Sequence, residues 1–224
     1  MKTVIIADIH GRITWKDILE AEKPDKVIFL GDYWDSFDIS FEKQLDNFKN
    51  IISYREQFEN TVLLLGNHDY HYHRGPERYS GFQSKYSFLI NDQMEKYKDY
   101  FKIAHKEGDY LFTHAGVSDT FLKENNFVGE IDEFLNDLWK YKPLSFRFNG
   151  YDQYGDNISQ SPLWIRPKSL LKDSKLTEHL IQVVGHTTVE RLGVDPEKRF
   201  YFTDTLGTSK EFLVLDGDLK IKKL

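Results

Sequence analysis

The fold of this chain turns on the stretch Thr61-Val62-Leu63-Leu64-Leu65-Gly66-Asn67-His68-Asp69. Its first five residues are apolar or β-branched, lack helical periodicity and stop at a glycine, the pattern of a short buried strand. An amide, an imidazole and a carboxylate follow at the carboxyl end of that strand, the edge at which open α/β sheets bind ligands. Two earlier runs finish in the same way. Thr3-Val4-Ile5-Ile6-Ala7 enters Asp8-Ile9-His10-Gly11, and Lys26-Val27-Ile28-Phe29-Leu30 enters Gly31-Asp32-Tyr33-Trp34-Asp35. Three strands therefore deliver polar groups to one sheet edge.

Working outward, residues 14–24 predict a helix through Trp15, Ile18 and Leu19, with Thr14 as its cap and Pro24 as its end. Residues 40–58 place Phe41, Leu45, Phe48, Ile51 and Ile52 at helical spacing among charges, an amphipathic helix. Strand and helix thus alternate, which argues for parallel strands with helical crossovers. Residues 70–83, rich in Tyr, His, Arg and Gly, read as an irregular loop overhanging the crevice, where specificity is usually set. In that loop His71 and His73 are expected to be solvated or substrate-facing.

A further helix is predicted over 85–97. Phe101-Lys102-Ile103-Ala104 and Tyr110-Leu111-Phe112-Thr113 then flank Lys106-Glu107-Gly108-Asp109 as a hairpin. Its second strand ends at His114-Ala115-Gly116. Residues 118–142 are helical in pattern, and residues 143–161 read as a surface insertion. Ile181-Gln182-Val183-Val184 enters Gly185-His186-Thr187-Thr188, a fifth polar strand end. The remaining apolar runs, including Phe200-Tyr201-Phe202, predict antiparallel strands. His105 and His179 carry no special signal.

The 224 residues, 40% hydrophobic and 15% aromatic, suffice for one large α/β domain spanning 1–224. A formal net charge of -6 gives no support to a nucleic-acid or phosphoprotein surface. No cysteine is present, so disulfides and thiolate metal sites are excluded, and a transition metal must be held by His, Asp, Glu or Asn. No apolar run reaches membrane-spanning length, and a soluble, cytoplasmic protein is expected.

Asp8, His10, Asp32, Asn67, His114 and His186, supplied by five strand ends, form a donor set suited to manganese, iron or zinc. Any one of them alone would pass for loop polarity. One ion needs three or four donors, whereas six suit two ions with the Asp32 carboxylate as bridge, a centre able to clamp both oxygens of an in-line phosphoryl displacement.

These blocks in this order resemble the calcineurin-like metallophosphoesterase superfamily, and within it the branch of serine/threonine phosphoprotein phosphatases, phage phosphatases and symmetrical diadenosine tetraphosphate hydrolases. The resemblance runs from residue 8 to about residue 207. It implies a four-layer α-β-β-α sandwich of two mixed sheets with a dinuclear site at the strand ends. It further implies that Asp8, His10 and Asp32 bind one metal, and that Asp32, Asn67, His114 and His186 bind the other. By the same resemblance a metal-bridging hydroxide attacks phosphorus, and His68, oriented by Asp35, protonates the leaving group.

Two departures bear on substrate. Nuclease-like members commonly end in Gly-His-Thr-His, but Thr188 stands in the last place here, which favours phosphate monoesters over diesters. Protein phosphatases carry a phosphate-clamping arginine directly after the residue matching Asp35, where this chain has Ser36. Arg166 in Leu163-Trp164-Ile165-Arg166, similar to a Trp-x-Arg block of bacterial and phage members, is a replacement substrate-binding residue beside Asn67, with Arg74 and Arg78 as further candidates. The alternatives are hydrolysis of a dinucleoside polyphosphate or a nucleic-acid end phosphate and, from another class, a catalytically silent binding module.

Overall fold

The computed structural model describes residues 1–73, 77–150, 156–197 and 199–224. In chain order the elements are β1 (Thr3–Ile6), α1 (Thr14–Glu22), β2 (Lys26–Phe29), α2 (Phe41–Gln57), β3 (Thr61–Leu64), α3 (Asn67–His73), α4 (Ser87–Lys96), β4 (Phe101–Lys102), β5 (Ala104–Glu107) and β6 (Tyr110–Thr113). They continue with α5 (Asp119–Glu124), α6 (Ile131–Tyr141), α7 (Pro167–Lys172), β7 (Ile181–Val184), β8 (Gly193–Val194), β9 (Phe200–Phe202), β10 (Glu211–Asp216) and β11 (Asp218–Lys223). Two mixed sheets result. The first runs β11-β10-β1-β2-β3-β4 and the second β5-β6-β7-β9-β8. Strands β1 to β4 are mutually parallel, as are β6, β7 and β9, while β10, β11, β5 and β8 run antiparallel to their neighbours.

Alternation along the strands makes the layers. On β1, Val4 and Ile6 pack with Trp15 and Ile18 of α1 and with Phe48 and Ile51 of α2. Ile5 and the following Ala7 point the other way, to a core shared with Phe112, Val183 and Tyr201 of the second sheet. Ala115, Val184, Phe200 and Phe202 pack with Leu170 of α7. Each fully buried Ile, Phe or Leu contributes about 1.5–3 kcal/mol relative to exposure. Helices, two facing sheets and further helices follow one another, the sandwich expected from the family resemblance.

Several local expectations are corrected. Thr14 is the first helical residue of α1, with Ile13 at the cap and no side-chain capping bond, and Lys23 in a left-handed conformation ends the helix before Pro24. The 118–142 helix is two helices, because Asn126 and Gly129 adopt positive φ between them. The extended run at 101–104 is shared between sheets: β4 pairs with β3, and only β5 forms the hairpin with β6. Asn136 of α6 fastens that crossing, its Oδ1 accepting from the amides of Ile103 and Ala104 at 2.9 and 3.2 Å. Strand β9 lies parallel to β7 rather than in an antiparallel meander.

The 143–161 segment is held to the body at both ends. Phe146, Gln160 and Ser161 are buried, and Trp164 Nε1 donates to the Phe146 carbonyl at 3.1 Å. Residues 151–155 lie outside the described residues, as does Arg74. Of the loop expected over 70–83, residues 70–73 instead belong to helix α3, and His71 and His73 are buried.

Candidate metal centre and substrate cleft

Five strand ends aim their side chains into one crevice, and those of β1, β2 and β7 turn abruptly to do so. Asp8, His10, Asp32, Asp35 and His186 all have φ between +40° and +65°, a left-handed region that L-residues enter at a cost of about 1–2 kcal/mol. The strain is held by cross-links between the ends. Asp69, at the start of α3, accepts the amides of Asp32, Gly66 and Tyr33 at 2.8, 2.8 and 2.9 Å. Asp8 accepts the amide of His186 at 3.0 Å, joining the first strand end to the last.

The imidazoles are oriented by backbone carbonyls. Nδ1 of His10 donates to the Trp34 carbonyl at 2.6 Å, Nδ1 of His114 to Leu30 at 2.8 Å, and Nε2 of His186 to Trp164 at 3.1 Å. Each ring's other nitrogen therefore presents a lone pair. Nε2 of His114 and Nδ1 of His186 both point at Oδ1 of Asn67, each at 2.9 Å. Oδ2 of Asp32 stands 3.5 Å from Nε2 of His10 and 3.4 Å from Nε2 of His114. Lone pairs that face one another in a buried crevice suit a cation between them, and an oxygen equidistant from two imidazoles suits a shared ligand. All six expected donors are thus brought together, and they fit a pair of divalent ions.

Nδ1 of His68 lies 3.0 Å from Oδ2 of Asp35, and its ring meets that of His10 edge-on at 5.1 Å.

Residues 1–191 match the family described as calcineurin-like phosphoesterase. The chain belongs to the calcineurin-like phosphoesterase family. No curated protein sequence matches it. Among solved structures it is similar to a cold-active protein-tyrosine phosphatase of Shewanella sp., at 18% identity and TM-score 0.72, covering 100% of this chain and 80% of that one. It is also similar to a protein serine/threonine phosphatase from Saccharomyces cerevisiae, at 15% identity and TM-score 0.64, covering 100% and 79%. At such identities these likenesses concern the fold.

This phosphoesterase is accordingly a hydrolase of phosphate esters from a family that works with dinuclear metal centres, and a catalytically silent module is not what its family suggests. Its electrostatics suit that assignment. Burial pushes Asp8 well above the ordinary carboxylate range, and the nearby Asp204 and Asp32 push it further. Burial alone would also raise Asp32, but the imidazoles of His114, His68 and His10 outweigh it and hold Asp32 low. Burial lowers His10 and His186, favouring the neutral form that binds metal. Burial would likewise lower His68, but Asp32, Asp35 and Asp69 raise it to about 9.

The crevice opens into a cleft of about 510 Å³. Arg166 lines it at the start of α7, as does Asn67, while Arg78 lies over the Phe82 ring, 5.0 Å from its centroid. Thr188 donates to Oδ2 of Asp204 at 2.6 Å. The family phosphoesterase thus has cleft residues that its sequence motifs do not mark: Asp204 after β9, Arg12 one residue beyond the first block, and Tyr79. His71, expected in a solvated or substrate-facing loop, is instead buried against Asp35. An arginine directly after a ligand block was the one signal available for Arg12.

Among the described residues no helix is long and apolar enough to cross a membrane.

Proposed function

We propose that this chain is a phosphatase acting on phosphate monoesters, working as one domain over residues 1–224 in the cytoplasm. It would hold two divalent ions, manganese by preference with iron or zinc as chemical substitutes. Asp8, His10 and Asp32 would hold one, and Asp32, Asn67, His114 and His186 the other. The observation that carries the proposal is Oδ2 of Asp32 placed between Nε2 of His10 and Nε2 of His114, with His68 beside them. Bound ions would supply Lewis acidity, activating water and neutralising phosphoryl charge.

The chain's own groups do the rest. Arg166, facing the cleft, is suited to hold two phosphoryl oxygens with its planar fork. Asn67, lining the same cleft, would share a substrate oxygen. His68, its Nδ1 proton on Asp35, would release its Nε2 proton to the leaving oxygen as the ester P–O bond breaks. Thr188, engaged with Asp204, brings no second histidine to the first site, in keeping with monoesters. A dinucleoside polyphosphate or end-phosphate substrate is the second reading, favoured by a second guanidinium, Arg12, in the same cleft.

The test is hydrolysis of para-nitrophenyl phosphate and its bis ester by metal-stripped protein before and after adding manganese, with Asn67→Ala as control. Manganese-dependent cleavage of the monoester, lost in the control, is expected. Preference for the bis ester would replace monoesters by diesters as the substrate class.

A further inference from the structure

Asp35 is fully buried, and both its oxygens are spoken for. Oδ2 accepts from His68 Nδ1 at 3.0 Å and from His71 Nε2 at 2.7 Å. Oδ1 accepts from the Tyr72 hydroxyl at 2.6 Å and from Gln83 Nε2 at 3.3 Å. His71 is enclosed in a cage of rings, edge-on to Tyr72 and Phe82 with centroids 4.5 and 5.0 Å away and parallel to Tyr79 at 6.1 Å.

The tautomer of His71 follows from its partners. The Tyr79 amide donates to Nδ1 at 3.4 Å, so the ring proton sits on Nε2 and points at Asp35. Asp35, His68 and His71 lie close enough together to suggest a cation site. A protonated Nε2 has no lone pair to give, so the cluster is hydrogen-bonded rather than metal-binding. Residues 79–83 lie over it. Gly81, at φ +85°, approaches so near that a Cβ there would lie 3.0 Å from Asp35 Cβ and 3.2 Å from His68 Cε1.

We propose that His71 is a positioning residue for leaving-group protonation. It shares Oδ2 with His68, and so fixes the oxygen against which the His68 ring is aligned. In the step it supports, an oxygen from water bonds to phosphorus as the P–O bond to the leaving group breaks, the Nε2 proton of His68 passes to the departing oxygen, and His68 is left neutral with its Nδ1–H still donating to Asp35. His71 keeps its own proton throughout. This rests on His68 being the proton donor.

Such a role has a signature that a packing role lacks. A poor leaving group needs the proton, whereas a good one departs with little help. His71→Phe, which keeps a ring in the cage, is expected to lower kcat for phenyl phosphate about tenfold, as losses of orienting partners commonly do. The same variant should leave para-nitrophenyl phosphate within about twofold, with KM and metal content unchanged. His71→Gln, which restores an N–H near the same place, should recover most of the phenyl phosphate rate; if His71→Phe fails to fold, His71→Leu, which also lacks the N–H, is read for the same selective loss. Equal losses on both esters, or no loss on either, would overturn the proposal. His68→Asn run alongside separates the two ideas. If it leaves the ratio between the esters unchanged, His68 is not the donor; if it steepens the ratio while the folded His71 variants do not, only the role of His71 falls.

Discussion

Gly66 lies against Asp32 so closely that a Cβ on Gly66 would stand 2.0 Å from Oδ1 and 2.7 Å from Cγ of the carboxylate. The absence of a side chain at 66 is thus what allows the ends of β2 and β3 to meet. Gly66→Ala should push Asp32 out of line with His10 and His114. Overpacking of this kind costs about 1–3 kcal/mol, and a matching fall in stability is expected in urea unfolding of the metal-free protein. Calorimetric titration with manganese should show weaker uptake, and uptake equal to that of the unsubstituted protein would refute the dependence of the centre on this contact.

The two arginines of the cleft should separate by substrate. A hydrogen bond to a charged group contributes about 1.5–3 kcal/mol, which corresponds to about 10- to 100-fold in binding. Arg166→Ala should therefore raise KM for a simple monoester by at least about tenfold. Arg12→Ala should spare that substrate and instead weaken one bearing a second phosphoryl group. Steady-state kinetics on phenyl phosphate and on a dinucleoside polyphosphate give both comparisons, and equal effects of Arg12→Ala on the two would deny it a role in choosing between them.

Glu107 of β5 accepts at Oε1 from Lys26 of β2, tying the second sheet to the first, and from His105 on its own strand. Burial alone would raise Glu107, but those two bonds prevail and hold it below the ordinary glutamate value of 4.5. Because the folded value is depressed, the stabilisation is present in full above 4.5 and is lost as pH falls through 4.5 towards the lower folded value. Glu107→Gln should cost about 1 kcal/mol at neutral pH, and the gap from the unsubstituted protein should narrow on acidification. Thermal unfolding across that range measures it, and a gap independent of pH would exclude the carboxylate as its source.

Much of this architecture is legible in the sequence because short apolar runs that stop at a polar block leave few alternatives. Val27-Ile28-Phe29-Leu30 before Gly31-Asp32 reads as strand then ligand, and both sheets obey the alternation their runs imply. What stays hidden depends on distant partners. Helix α3 is made of Asn, His, Asp and Tyr, poor helix formers, and Asp69 at its start is bonded to three amides around it. No local pattern announces that. The split at Ile103 is set by the Asn136 side chain, more than thirty residues away. His71 looked solvated because alternating Tyr and His have no apolar face; its burial comes from Asp35 and the rings of Tyr79 and Phe82, which the chain brings back over it. Asp204 sits outside every recognisable block and Arg12 one residue beyond the first, and the folded cleft brings the two together.

The bond between Asp8 and the amide of His186 spans 178 positions of the chain. During synthesis the Asp8 carboxylate emerges long before the His186 imidazole that it is to meet. A nascent polypeptide that has reached His114 therefore carries five of the six proposed donors, and the set is completed only once His186 has emerged. By the proposed function, hydrolytic power would be withheld from any partial chain that lacks His186, without an inhibitor to remove.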